Sequence, residues 1–290
     1  MTSPLAKLGL GSGQFPLDQA PVRGKPPQVE VREILEIAAR SGLPLFDVAG
    51  RATHAETMLG QLLPRPNPFR VTISTTRPDR GPDAVEAEVR ATLRRLNIEQ
   101  ADVLLAPSAG DLMGAHGLAL WDRMHRMRDA GLARKIGVSL YASDDPVGVS
   151  RRFRPDVVQA PASLLDQRLL VDGTLAALCH LGIEVHLRSI FLNGLLFLPP
   201  DRVPSQLKGA SARLSRARRL IAEGRSDPLQ AALGFALSRP EASAVLVGVT
   251  SAAELQAVIA AASSPPPDLD WDEMAIDDPI ALDPRRWAAA

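Results

Sequence analysis

The feature that most constrains the fold of this chain is a regular alternation of short apolar segments with helix-length segments. Most of the apolar segments are separated by one stretch whose apolar residues recur at helical spacing, such as Val31, Ile34, Leu35 and Ala38, followed by Gly42 as a cap. Eight apolar segments are typical of buried strands, at 5–13, 43–49, 69–76, 101–107, 134–141, 155–161, 182–191 and 243–249.

Eight strand–helix units in about 260 residues predict an α/β fold, a (β/α)8 TIM barrel with a single domain. A doubly wound sheet is the alternative, but it needs a switch point and usually has fewer units. Gly9, Gly11 and Gly13 do not complete a dinucleotide fingerprint, because no third glycine follows at the required spacing to open a helix. We therefore expect residues 1–262 to form the barrel, and the proline-rich, acidic residues 263–290 to form a tail that wraps its surface.

Composition restricts the kinds of partner. The chain has 33 basic and 33 acidic residues, so no overall charge attracts nucleic acid or an anionic membrane. No apolar run reaches the ~20 residues needed to span a bilayer, and no signal peptide is recognisable. Cys179 is the only cysteine, which is typical of a reducing compartment, and no His/Cys cluster has metal-ligand spacing. These observations predict a cytoplasmic protein without a metal site.

The stretch 45–60, LFDVAGRATHAETMLG, locates the expected pocket. Asp47 ends a buried strand, and α/β barrels place their chemistry at the C-terminal ends of the strands. Asp47 is therefore the first candidate for a catalytic residue.

Several motifs in the same order resemble the aldo-keto reductase superfamily, from about residue 5 to residue 262. They are LGLGSGQF, LFDVA, KIGVSLY, DVVQAPASLLDQR, IEVHLRSIFLNGLLF and VLVGVTSAAELQ. The sequence is most similar to bacterial members that accompany surface-polysaccharide and sugar-nucleotide genes. The resemblance implies a TIM barrel that uses NADP(H) to reduce a small carbonyl or sugar-like ligand.

The family's catalytic site combines an Asp, a Tyr, a Lys and a His. The Tyr donates a proton to the developing alkoxide, the Lys held by the Asp lowers the pKa of that Tyr, and the His orients the carbonyl. In this sequence the Asp matches Asp47, whereas the other three positions fall on Ala52, Thr76 and Pro107. The resemblance therefore implies a barrel in which ordinary carbonyl reduction is absent or very slow.

The resemblance also implies cofactor contacts. Ser139 and Gln159 match the residues that bind the nicotinamide carboxamide, and Ser189 matches a contact on the pyrophosphate side. Arg188 stands where the family has a tyrosine that stacks on the nicotinamide, and Leu140 stands where many members have Asn.

At the adenine end of the cofactor site, Gly248 and Ser251 match the strand–turn–helix start of the family. Ser251 and Glu254 have the spacing of a capping box, which is an equally good structural explanation. Glu254 and Val258 stand where many members have an Arg and an Asn that hold the adenosine 2′-phosphate.

Other candidate residues have simpler structural explanations. His54 is expected in a surface loop near a helix start, and Tyr141, the only tyrosine, at the rim of the barrel. Asp166 and Arg168 are expected to pair and fix a loop. The arginine-rich segment 213–225 is expected to be a solvated helical face rather than a phosphate or nucleic-acid site. A weaker option is an unrelated reaction centred on Asp47, Arg188 and His186.

Two hypotheses remain open. One is an NADP-dependent oxidoreductase of the aldo-keto reductase type. The other is a non-catalytic barrel that binds a metabolite or a protein partner in the same pocket.

Overall fold

Eight parallel strands close into one barrel in the order of the sequence, and β1 pairs with both β2 and β8. The structure is a computed structural model that describes residues 4–15, 27–48 and 53–287. The strands are β1 (Leu8–Gly11), β2 (Leu45–Asp47), β3 (Arg70–Ser74), β4 (Ala101–Ala106), β5 (Ala133–Ser139), β6 (Val157–Pro161), β7 (Glu184–Arg188) and β8 (Ala242–Val247). The closed barrel with its surrounding helices confirms the predicted (β/α)8 fold.

Helices follow the strands and cover the outside of the barrel. Pro82 opens the first turn of α3, and Asn97 ends that helix in the left-handed conformation, at φ 55°. Asp227 caps α10 by accepting hydrogen bonds from two backbone N–H groups at 2.8 and 3.0 Å. The described α-helices are α1 (Gln28–Arg40), α2 (Thr53–Leu62), α3 (Pro82–Leu96), α4 (Ala109–Met113), α5 (Gly117–Asp129), α6 (Pro146–Phe153), α7 (Arg168–Val171), α8 (Thr174–His180), α9 (Ser211–Glu223), α10 (Pro228–Leu237) and α11 (Ala252–Ser263).

The barrel interior is filled by a small apolar cluster. Val103, Leu105 and Val157 form this cluster, separate from the main core between strands and helices. Because side chains alternate along a strand, these residues face the barrel axis while their neighbours face the helices. A β-carbon on Gly137 would lie 2.8 Å from a Leu105 methyl carbon and 2.2 Å from the Val157 carbonyl oxygen, so only glycine fits there. The barrel interior between β4, β5 and β6 is therefore closely packed.

Charged residues occupy the N-terminal half of β5 and β7. Lys135 Nζ donates to Glu184 Oε1 at 2.6 Å, and His186 Nε2 lies 4.0 Å from Glu184 Oε2. Burial lowers the pKa of His186 to about 4, so its imidazole is neutral at physiological pH. This arrangement has a structural role at the end of the barrel opposite the carboxyl ends of the strands.

Residues 264–287 run along the barrel surface. Trp271 packs edge-to-face on Phe235, with the ring centroids 5.8 Å apart, and the Ile276 N–H donates to the Leu165 carbonyl oxygen at 2.9 Å. Trp287 donates from Nε1 to the Ile280 carbonyl oxygen at 3.0 Å.

The arginine-rich helix α9 contacts this C-terminal segment. Arg213 pairs with Asp277 at 2.9 Å, and Arg216 pairs with Glu273. Arg218 donates to the carbonyl oxygens of residues 195 and 196. The arginine-rich segment 213–225 was expected to form a solvated helical face. Part of that face instead contacts the acidic C-terminal segment and the loop after β7. No helix in the described part of the chain has both the length and the apolar character needed to cross a bilayer.

Candidate active site

One cavity of about 700 Å³ opens at the carboxyl ends of the strands. It extends from the end of β2 across β6 and β7 to the turn between β8 and α11. The described residues that line it are Gly11, Gly13, Gln14, Asp47, Gln159, Arg188, Ser189, Ile190, Phe191, Leu192, Asn193, Gly194, Phe197, Leu229, Leu246, Val247, Gly248, Val249, Thr250, Glu254, Ala257 and Val258. The volume is within the range of small-molecule and cofactor sites.

Asp47 lies at the inner end of this cavity. Its Oδ1 accepts a hydrogen bond from Gln159 Nε2 at 3.3 Å. Burial raises the pKa of Asp47 from 3.8 to about 6, while the Gln159 hydrogen bond and the Arg188 charge oppose that rise. Asp47 therefore exchanges its proton close to neutral pH instead of remaining a fixed anion.

Arg188 is held at the cavity wall by three contacts. Its Nη2 donates to the Leu140 carbonyl oxygen at 3.1 Å, its Nη1 donates to Ser189 Oγ at 3.3 Å, and its Cζ lies 4.1 Å from the centroid of the Tyr141 ring. Its buried Nε has no hydrogen-bond partner among the described residues. A guanidinium stacked on a ring and bonded to a carbonyl keeps its plane and position. The cavity thus has a fixed cation at the same end as Asp47.

The loop after β7 forms one wall of the cavity with an unusual backbone. Ser189, Leu192, Asn193 and Gly194 all have positive φ, at 59°, 45°, 50° and 82°. Phe191 packs edge-to-face against the half-exposed Phe197, which also lines the cavity, with ring centroids 5.4 Å apart. Apart from the matched residue Ser189, this wall was not identified from the sequence, where only the Asn-Gly pair is a turn signal.

The turn between β8 and α11 forms the other end of the cavity. Ser251 is the N-cap of α11, and its Oγ accepts from the Glu254 N–H at 3.1 Å. The Glu254 carboxylate accepts from the Thr250 N–H at 2.6 Å and from the Thr250 hydroxyl at 2.9 Å. This is close to the predicted capping box, except that the glutamate bonds to the residue before the N-cap.

A glutamate from α1 completes the same helix start. Glu30 Oε1 accepts from the Ala252 N–H at 2.6 Å, across 222 residues of sequence. Two carboxylates therefore lie at the N-terminus of α11, where the helix dipole favours negative charge. Glu30 was missed in the sequence, which has no local signal for a contact of this range.

The cavity brings together most of the residues that the resemblance singled out. Asp47, Gln159, Arg188, Ser189 and Gly248 line it. Two others do not. Ser139 ends β5 beside Gln159 in the strand register, and Ser251 is used as a helix cap.

Of the three positions of the replaced catalytic residues, the two that the structure describes, Thr76 and Pro107, are not among the residues that line the cavity. Ala52 falls outside the described residues. Thr76 lines a second cavity of about 300 Å³, next to the buried ion pair in which Arg95 Nε donates to Glu56 Oε2 at 2.5 Å. Pro107 follows directly after β4. No tyrosine, lysine or histidine is present among the described residues of the main cavity.

The remaining sequence candidates have structural roles. His54 is exposed in the first turn of α2. Arg168 and Asp166 form a bidentate pair with two contacts of 2.8 Å, which confirms the predicted loop-fixing pair. Tyr141 stacks with Arg188 and with Arg285, whose Cζ lies 3.4 Å from the ring centroid.

His186 does not share the cavity with Asp47, so the described residues do not assemble the site centred on Asp47, Arg188 and His186. In the described part of the chain, no group of three or more His, Cys, Asp or Glu side chains is placed to hold a metal ion.

Comparison with known proteins agrees with this architecture. Two similar solved structures are an aldo-keto reductase from Bacillus halodurans in its holo form and the glycerol dehydrogenase from Gluconobacter oxydans. The first is 18% identical with a TM-score of 0.71, covering 92% of this chain and 89% of the other. The second is 17% identical with a TM-score of 0.70, covering 92% of this chain and 88% of the other. At these identities the likeness shows the fold.

A search of curated proteins gave no match. The model of the aldo/keto reductase family, in contrast, matches residues 7–276, which is nearly the whole sequence. This chain therefore belongs to the aldo/keto reductase family.

Proposed function

We propose that this chain binds a nicotinamide dinucleotide together with a small carbonyl or sugar-like ligand, and that its ordinary carbonyl reduction is absent or very slow. The observation that carries the proposal is the main cavity itself. It extends from Asp47 to the β8–α11 turn and retains Gln159 and Ser189, while its described lining contains no phenol, amine or imidazole.

The cavity supports binding better than reduction because its described lining lacks the phenol, amine and imidazole groups that would assist proton transfer. Reduction of a carbonyl places negative charge on oxygen, which requires a nearby acid or a fixed donor. The guanidinium of Arg188 is already bonded to Leu140 and Ser189, so it offers charge and hydrogen bonds and is no substitute for an acid that transfers its proton. The loss of a general acid alone is expected to slow the reaction by about 10²–10⁴-fold.

The described residues fit part of a nicotinamide dinucleotide. Gln159 and Ser189 provide hydrogen-bonding groups near Asp47, Arg188 provides a cation, and the exposed backbone at Gly248 provides a surface without a side chain. When bound, such a cofactor supplies hydride chemistry. Here these residues would orient the dinucleotide, and Asp47 would form a hydrogen bond with the ligand.

A non-catalytic barrel that binds a metabolite or a protein partner remains the second candidate. It is favoured by the same observation, the absence of a phenol, an amine and an imidazole among the described residues of the main cavity. A cytoplasmic location, expected from the sequence, is part of both proposals.

The test is a steady-state assay of the purified protein with NADPH and NADH and a panel of aldehydes, ketones and sugar aldehydes. An active family member serves as the positive control under the same conditions. We expect turnover well below the lower end of ordinary enzymes, which is about 1 s⁻¹. Turnover of about 1 s⁻¹ or more on a generic aldehyde would contradict the proposal.

Equilibrium titration of the two dinucleotides is the second measurement. Binding without turnover supports the proposal and favours a non-catalytic role. If neither dinucleotide binds at millimolar concentration, the proposal that this chain binds a nicotinamide dinucleotide is wrong.

A further inference from the structure

The end of the main cavity at α11 carries negative charge. Glu254 lines the cavity, and its carboxylate is fixed by three contacts with the backbone and hydroxyl of Thr250. Glu30 adds a second carboxylate at the same helix start through its bond to the Ala252 N–H. Arg188 is the one basic residue among the described cavity-lining residues, and it belongs to the Asp47 end.

These contacts also use the hydrogen-bond donors of the helix start. The N–H groups of Thr250, Ala252 and Glu254 donate to Glu254, Glu30 and Ser251. A free helix N-terminus attracts an anion because its N–H groups are unpaired and its dipole is uncompensated. Here the chain's own oxygen atoms satisfy two of these donors, Ala252 and Glu254, together with the N–H of Thr250 just before the N-cap, and two carboxylates offset the dipole.

A phosphate monoester carries about −1.5 to −2 charges at neutral pH. At the start of α11 it would meet two negative charges, and the N–H groups of Ala252 and Glu254 are already bonded to Glu30 and Ser251. A ribose hydroxyl is neutral and can donate a hydrogen bond to a carboxylate. The described residues therefore do not fit the 2′-phosphate of NADP(H), although they fit part of a dinucleotide that lacks it.

We propose that the cavity selects a nicotinamide dinucleotide without a 2′-phosphate, that is NAD(H), and that the Glu254 carboxylate accepts a hydrogen bond from a hydroxyl of its adenosine ribose. This inference rests on the proposed function, because it requires that a dinucleotide binds. It differs from the NADP(H) dependence that the resemblance to the family implies.

The experiment is a competition between two ligands that differ only in the 2′-phosphate. NADH and NADPH are titrated into the full chain, and binding is followed by calorimetry or by the fluorescence of the reduced nicotinamide. We expect NADH to bind at least about 10-fold more tightly than NADPH at low salt. The ratio should fall as the salt concentration rises, because an exposed carboxylate is screened within about 10 Å at 0.1 M salt.

Two variants test the residues. Glu254→Gln keeps an acceptor oxygen for Thr250 and removes one charge. Glu30→Gln keeps an acceptor oxygen for the Ala252 N–H and also removes one charge. Each should tighten NADPH binding by about 5-fold or more, as expected from removing a repulsive charge. Glu254→Gln should also weaken NADH binding by about 3-fold or more, because an amide oxygen is a weaker acceptor for the ribose hydroxyl than a carboxylate. Glu30→Gln should change NADH binding by less than about 3-fold, because Glu30 does not line the cavity. Glu99→Gln is the matched control, because Glu99 is exposed in the turn before β4, at the opposite end of the barrel. Its NADH-to-NADPH ratio should equal that of the parent.

The outcomes separate this inference from the proposed function. NADPH binding as tight as NADH binding, or an unchanged ratio in both glutamine variants, would overturn the inference and leave dinucleotide binding intact. If neither dinucleotide binds, the proposed function fails and the inference fails with it. Circular dichroism and the unfolding midpoint show whether each variant is folded. Because the two glutamates lie on different helices, they provide independent tests.

Discussion

The substitution Asp47→Asn should stabilise the folded protein at neutral and alkaline pH. The folded state raises the pKa of Asp47 from 3.8 to about 6, mainly through burial, whereas the unfolded chain keeps the ordinary value. As pH rises from about 4 to about 6, the unfolded state loses its proton before the folded state does. Folding then has to keep a carboxylate in a poorly solvated site, so the Asp47 contribution to stability falls with increasing pH.

The size of the effect follows from the difference between the two pKa values. A difference of about 2 at about 1.4 kcal/mol per pH unit corresponds to about 3 kcal/mol above pH 6. Asp47 retains some solvent contact through the cavity, which reduces this cost. We therefore expect Asp47→Asn to raise the free energy of unfolding by about 1–3 kcal/mol at pH 8. Near pH 4 the two proteins should agree within about 0.5 kcal/mol, because the carboxyl is then neutral in the folded state and only about half ionised in the unfolded state.

Urea unfolding at several pH values between 4 and 8, followed by circular dichroism, measures this difference. Asn at position 47 still offers an oxygen that accepts from Gln159, so the substitution mainly removes the charge. Asp122→Asn, on the exposed side of α5, is the matched control and should be nearly neutral at every pH. A variant that is less stable than the parent at pH 8 would refute the reasoning. It would mean that Arg188 and Gln159 stabilise the carboxylate by more than burial destabilises it.

Two further predictions concern contacts outside the main cavity. Glu56→Ala should lower the free energy of unfolding by about 2–4 kcal/mol in urea titrations, because it leaves the guanidinium of Arg95 without its most buried partner and removes the acceptor of Thr92. A decrease in the free energy of unfolding of less than about 1 kcal/mol would contradict this, and would show that Glu88 and Thr92 compensate the charge of Arg95. Arg285→Ala should increase hydrogen exchange and proteolytic cleavage in residues 264–287, since it removes a cation–π contact with Tyr141 that is worth about 0.5–1 kcal/mol. Unchanged protection of that segment would show that its other contacts hold it alone.

The fold was predictable because its signal is repeated along the chain. Each strand is a short apolar segment, and the helices between them keep their apolar residues at helical spacing, so errors in single boundaries do not change the number of units. The local pair of Asp166 and Arg168 was also predictable, because the two residues are only two positions apart. The short helix α4 was not predicted, although Ser108 and Asp111 form an N-cap at its start.

The site was only partly predictable. The resemblance indicated Asp47, Gln159, Arg188 and Ser189. Asp47 and Arg188 end strands, Gln159 lies within β6, Ser189 follows β7 directly, and all four line the cavity. The contacts that set its electrostatics join residues far apart in sequence. Gln159 reaches Asp47 across 112 residues, and no local pattern indicates such a bond.

The retention of Asp47 does not by itself indicate that carbonyl reduction is retained. In the family's site, the aspartate holds a lysine. In the described cavity the nearby cation is Arg188, which is restrained by the Leu140 carbonyl, the Ser189 hydroxyl and the Tyr141 ring. Its charge only partly offsets burial, so Asp47 takes up a proton at a pH of about 6. A carboxyl group of this kind can accept a hydrogen bond when it is ionised and donate one when it is protonated. Sugar hydroxyls can pair with either form, so Asp47 is suited to bind a polar ligand.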